Sequence, residues 1–142
     1  MLDLAAGGGR HARFFRDRGF DVVAVDRQAA SWEGIRFVQA DLEDGSPWPL
    51  EGEQFGGIVV TNYLHRPLFG KIRDSLAPGG VLIYETFMLG NERFGKPSNP
   101  AFLLRPGELK AAFADLEVLG FEEGEVSEPK PAMVQRICAI RR

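Results

Sequence analysis

The chain is short of the residues that staple or anchor small proteins. One cysteine, Cys138, stands among 142 residues, so no internal disulfide can form and no cysteine pair can hold zinc. It lies in an apolar run, where it reads as a buried structural thiol, and its solitude fits a reducing compartment. No stretch approaches the roughly 20 apolar residues of a membrane span. The first residues lack the basic segment and long apolar core of a signal peptide. These absences point to a soluble cytoplasmic protein without a metal site. Positive charge is scarce too: 17 Lys and Arg against 20 Asp and Glu leave a net charge of −3. That argues against nucleic-acid binding by bulk charge, while a local basic patch remains compatible with it.

What is present is globular. A hydrophobic share of 44% and a charged share of 26% exclude disordered and low-complexity classes. The length suits one domain spanning 1–142, able to bury roughly two-thirds of the surface its unfolded chain exposes. Apolar runs at 1–4, 21–26, 35–40, 55–61 and 81–86 read as strands, the β-branched Val22, Val23 and Val25 as a strand covered on both faces. Between them, 9–18 reads as a helix ended by Gly19. A second helix starts at Pro67, with Ile72 and Leu76 inward, and stops at Pro78-Gly79-Gly80. A third starts at Pro106, with Leu109, Ala112, Phe113 and Leu116 inward. The segments 117–125 and 134–140 pair as a terminal antiparallel hairpin. The expected fold is α/β: a Rossmann-like three-layer sandwich around a mostly parallel seven-stranded sheet that ends in that hairpin.

The chemistry gathers where parallel strands end, because ligands of such sheets bind beyond the carboxyl ends of the strands. The first strand runs into Ala5-Ala6-Gly7-Gly8-Gly9, a turn whose glycines allow backbone angles closed to other residues and a close ligand approach. The helix that follows offers unpaired amide donors. Three strands in succession finish on acids, Asp3, Asp26 and Asp41. Asp3 is placed to meet an amino group or to order the turn, Asp26 to accept two ribose hydroxyls, and Asp41 to accept from an exocyclic amine. An adenosine bearing an amino-acid tail satisfies all three.

The pattern Asp3-x-Ala5-x-Gly7-x-Gly9, then Asp26, then Asp41-Leu42, resembles class I S-adenosylmethionine-dependent methyltransferases. Within that family the chain is most similar to small bacterial methyltransferases of the tellurite-resistance type. The resemblance implies S-adenosylmethionine as cofactor and methyl transfer to a small-molecule acceptor. Ala5 to Gly9 would pass under the methionine moiety, Asp26 would hold the ribose, Asp41 with the Leu42 amide would read the adenine, and Arg27 beside Asp26 would also bind the cofactor. Asn62 and Tyr63 would border the sulfonium and donor methyl. The family usually has a helix before its first strand, so this chain is expected to lack that cover, and a second copy could shield the exposed strand end in a homo-oligomer.

Gly7, Gly9 and Ala12 with Asp26 also fit an NAD(P)-binding fingerprint. Asp3 before the turn, Asp41 after the third strand and the terminal hairpin count against it. A noncatalytic cofactor-binding or assembly module is the alternative outside enzymes. For catalysis, methyl transfer needs alignment and water exclusion before it needs a base; if the acceptor is protonated, His65 or Tyr63 could take the proton. The long connection 87–105 carries Arg93 and Arg105 in an apolar background and reads as a lid over an acceptor with an anionic part. Glu85, at the end of the fifth strand, could orient that acceptor.

Overall fold

The computed structural model describes residues 1–142. Seven segments form strands: β1 (Leu2–Leu4), β2 (Val22–Asp26), β3 (Ile35–Gln39), β4 (Phe55–Thr61), β5 (Leu76–Phe87), β6 (Glu117–Val126) and β7 (Ala132–Ile140). They make one sheet in the order β3-β2-β1-β4-β5-β7-β6. The first five are parallel, and β7 runs antiparallel between β5 and β6. The chain moves outward from β1 to β3 and then returns to the other side of β1 with β4. A cleft therefore opens between the exits of the strands at that reversal, as expected of doubly wound sheets.

The period of two along each strand divides the core. Leu2 and Leu4 pair with Val23, Val25, Ile58 and Val60, and their side chains join the larger core cluster. Helices α2 (Phe69–Asp74) and α3 (Glu108–Ala112) cover this face. Phe69, Tyr84 and Phe113 meet there at ring separations of 5.3 to 6.1 Å. On the opposite face, helix α1 (Arg10–Asp17) packs its buried Ala12 on Val22 and Ala24. Beyond β4 that face carries no helix, and Ile83 of β5 remains exposed. Cys138, beside Ile83 in the sheet, is half-buried instead of fully buried.

The helices are shorter than the sequence pattern predicts. A 3-10 turn at Arg66–Leu68 takes the place of the expected first turn of α2. The residues Pro78-Gly79-Gly80, expected as a helix stop, sit inside the irregular start of β5, where the main chain of Gly79 and Gly80 bonds Arg141. Only five residues of the third helix are helical, although Leu109, Phe113 and Leu116 are all buried as its spacing requires. The connection 87–105 is stitched down instead of free. Buried Asn91 donates to Pro97 O at 2.9 Å and accepts from Met133 N–H at 3.0 Å. Arg66 donates to Leu103 O at 2.9 Å and pairs with Glu108 at 2.6 Å.

No helix links β2 to β3. Trp32 fills that space instead, edge-on to Phe37 at 5.6 Å. Its indole lies against the glycine turn, where a Cβ on Gly9 would stand 2.6 Å from the ring, and Gly9 also has φ of +77°. Gly7 shares the left-handed backbone at φ +56° but has no atom within 4 Å of its would-be Cβ. Gly7→Ala should therefore cost about 1 kcal/mol, the left-handed penalty alone. Gly9→Ala should cost about 2–4 kcal/mol because overpacking adds to it. Denaturant unfolding of the two variants checks the difference.

Candidate functional site

The turn after β1 is built from left-handed residues, with φ of +57° at Ala5, +56° at Gly7 and +77° at Gly9. For Ala5 this conformation is uncommon and costly, of the order of 1–2 kcal/mol, and it persists because neighbours fix it. Ala6 N–H donates to Val25 O at 2.9 Å, tying the turn to β2. The decisive tie comes from Asp26. One of its carboxylate oxygens accepts from Gly7 N–H at 2.8 Å and the other from Gln28 N–H at 2.9 Å.

Asp3 takes the second of the two roles open to it, ordering the turn region. As the middle residue of β1 it faces α1, is buried, and accepts from Ala12 N–H at 3.0 Å. Burial pushes its carboxyl up to about 6, against the bond from Ala12, with the charge of Asp26 adding to the rise. It does not line the cleft.

The cleft itself has a volume of about 280 Å³ and is lined by Ala5, Asp26, Arg27, Ala40, Asp41, Leu42, Glu43 and Tyr63. Six residues singled out from the sequence thus meet around one space: Ala5, Asp26, Arg27, Asp41, Leu42 and Tyr63. Asp41 accepts from Glu43 N–H at 2.9 Å, closing a tight turn at the exit of β3. Its carboxylate, like that of Asp26, retains acceptor capacity for a ligand's hydroxyls or amine. Asn62 begins the exit of β4 in a left-handed conformation, φ +54°, and donates its N–H to Glu85 O at 2.9 Å.

Tyr63 donates its hydroxyl to Glu43 at 3.2 Å, and its carbonyl accepts from the Tyr84 hydroxyl at 2.8 Å. Burial, with Glu43 and Asp41 nearby, raises the Tyr63 hydroxyl well above the usual phenol range. In this structure it donates to Glu43 as the neutral hydroxyl. His65 lies outside the cleft's lining. It borders a neighbouring cavity of about 290 Å³ with Trp48 and Lys71, its Nδ1 3.5 Å from the Glu43 carboxylate. Glu85 pairs with Arg136 at 3.1 Å. The expected substrate residues Arg93 and Arg105 do not line the cleft: Arg93 bonds Gly90 O and packs over Phe94, and the Arg105 main chain bonds Glu108 and Gln135.

A glycine turn under one side of a cleft, with acids from two neighbouring strand exits on the other, is the nucleoside-binding arrangement of this fold class. A family model described as a methyltransferase domain matches residues 2–84, the portion that holds every one of these cleft residues. The chain belongs to the methyltransferase domain family. No curated protein matches the sequence. In three dimensions the methyltransferase domain superposes on TehB from Haemophilus influenzae with a TM-score of 0.77 at 17% identity, over 99% of this chain and 57% of that one. An S-adenosylmethionine-dependent methyltransferase from Mesorhizobium loti gives 0.72 at 17% identity, over 99% and 89%. The 1,6-didemethyltoxoflavin-N1-methyltransferase of Burkholderia thailandensis gives 0.70 at 21%, over 99% and 69%. The fold of the methyltransferase domain is thus that of the enzymes its motifs resemble. No helix in it is long and apolar enough to cross a membrane.

The buried Asp3 makes stability depend on pH. Its carboxyl is raised from 3.8 to about 6 on folding, so the stability it contributes is full below pH 4 and lost as pH rises through 6. Asp3→Asn keeps an acceptor for Ala12 N–H and removes the ionisation. The variant should gain on the order of 2 kcal/mol over wild type between pH 4 and pH 7.5, read from unfolding curves at both values.

Proposed function

We propose that this chain transfers the methyl group of S-adenosylmethionine to a small-molecule acceptor. The observation that carries the reading is the convergence of Asp26 and the Asp41–Leu42 turn on one cleft beside the left-handed glycine turn. The donor set suits that cofactor. The ribose hydroxyls would donate to Asp26, the adenine amine to Asp41, and the adenine ring would accept from Leu42 N–H with Arg27 and Tyr63 beside it. Ala5 to Gly9 would carry the methionine moiety, and Asn62 would border the sulfonium.

When bound, S-adenosylmethionine supplies a methyl carbon activated by its positive sulfur. That carbon would pass to an acceptor lone pair, with the carbon–sulfur electron pair staying on the S-adenosylhomocysteine product, while Ala5 to Gly9, Asp26 and Asp41 would hold the donor in place. The chain's task is alignment: holding the donor along the cleft so that the acceptor approaches opposite the sulfur. Tyr63, a hydroxyl donor to Glu43, positions instead of accepting a proton, and His65 stands beyond Glu43 from the cleft. Glu85 pairs with Arg136 and lines a separate recess with Ile83 and Cys138, outside the cleft's lining. The toxoflavin methyltransferase, which holds 1,6-didemethyltoxoflavin and S-adenosylhomocysteine, supports a small acceptor on this fold.

Calorimetry with S-adenosylhomocysteine tests the reading. Wild type should bind, and Asp26→Ala should weaken binding by about tenfold or more, since it removes a charged acceptor and releases the glycine turn. Wild-type protein that binds neither S-adenosylhomocysteine nor S-adenosylmethionine would overturn it, and affinity for NAD instead would replace it.

A further inference from the structure

We propose that Glu43 is a positioning residue for the cofactor: it ties the exit of β3 to the exit of β4 and so sets the width of the adenosine cleft. The proposal rests on the cofactor reading above. Glu43 lies in the acid-rich stretch after β3, and three contacts place it between the two exits. Its N–H donates to Asp41 at 2.9 Å, which fixes the turn that would read adenine. Its carboxylate accepts from the Tyr63 hydroxyl at 3.2 Å on one oxygen. The other oxygen lies 3.5 Å from His65 Nδ1.

Tyr63 is consequently held at both ends. Its carbonyl takes the bond from buried Tyr84 at 2.8 Å, and its hydroxyl is anchored by Glu43. The ring follows Asn62, whose left-handed φ of +54° is itself an unusual conformation for a side-chain-bearing residue. Without Glu43, the ring loses its tie to the Asp41–Leu42 side of the cleft. Asp41, Leu42 and Glu43 also line the neighbouring cavity that contains His65. Glu43 therefore stands in the wall between the two spaces, and the His65 contact braces it from the side away from the cofactor.

Such a clamp acts on binding and has a signature in coupling. Glu43→Ala and Tyr63→Phe should each weaken S-adenosylhomocysteine binding by about five- to tenfold, and the double variant should be no weaker than the worse single one. Glu43→Gln retains an oxygen that accepts from Tyr63 and should recover most of the affinity lost in Glu43→Ala. With a turning-over acceptor, Glu43→Ala should raise KM for the cofactor far more than it lowers kcat. In the ligand-free protein, amide hydrogen exchange over 62–65 should rise in Glu43→Ala and return toward wild type in Glu43→Gln. Additive losses in the double variant, or unchanged affinity and exchange in Glu43→Ala, would overturn the clamp. Failure of wild type to bind S-adenosylhomocysteine would instead overturn the cofactor reading, and the exchange measurement would still report whether Glu43 ties the two exits.

Discussion

The carboxylate of Asp26 holds the candidate site together. Asp26 ends β2, one strand away from the glycine turn, and binds the turn's Gly7 amide with one oxygen while the other closes its own exit through Gln28. The turn needs that restraint, because it strings together left-handed residues, one of them an alanine, that cost free energy to keep in place. The same carboxylate lines the cleft. In the proposed complex it would accept from the ribose, so the group that shapes the turn is also the one that the cofactor would touch.

Around that bond the architecture supplies position. The parallel register sets β1 between β2 and β4, so the glycine turn lies between the exits that carry Asp26 and Asn62. Asp3, in the middle of β1, anchors α1 from beneath through Ala12, and Trp32 packs where Gly9 leaves room. Glu43 would close the opposite side of the cleft. The long segment after β5 serves a different purpose. Asn91, Arg66 and Glu108 fasten it to β7 and α3, so it frames the fold beside the cleft.

Much of this was legible because it depends on local pattern. The β-branched run Val22 to Val25, the glycines after Leu4 and the acids Asp26 and Asp41 mark strand, turn and exit with little help from tertiary context. What escaped depends on contacts far apart in the chain. Arg66 meets Glu108 across 42 residues, and Glu43 meets Tyr63 across 20. Glu43 lies in a stretch rich in acids, glycine and proline, where an acid that serves a site looks like one that serves solubility; its spacing from Asp41 was the single available signal. Asp3 was ambiguous for another reason. A three-residue strand is too short to display its alternation, and that alternation is what turns the acid toward α1 and away from the cleft. The helix lengths were overestimated because Leu109, Phe113 and Leu116 are buried by packing even though the helix ends at Ala112.

A crystal structure of the protein with S-adenosylhomocysteine tests the central claim most directly. The account predicts the ribose hydroxyls on Asp26, the adenine between Arg27, Leu42 and Tyr63 with its amine on Asp41, and the homocysteine tail along Ala5 to Gly9. A ligand bound elsewhere, or a nucleoside in this cleft whose ribose does not reach Asp26, would contradict it.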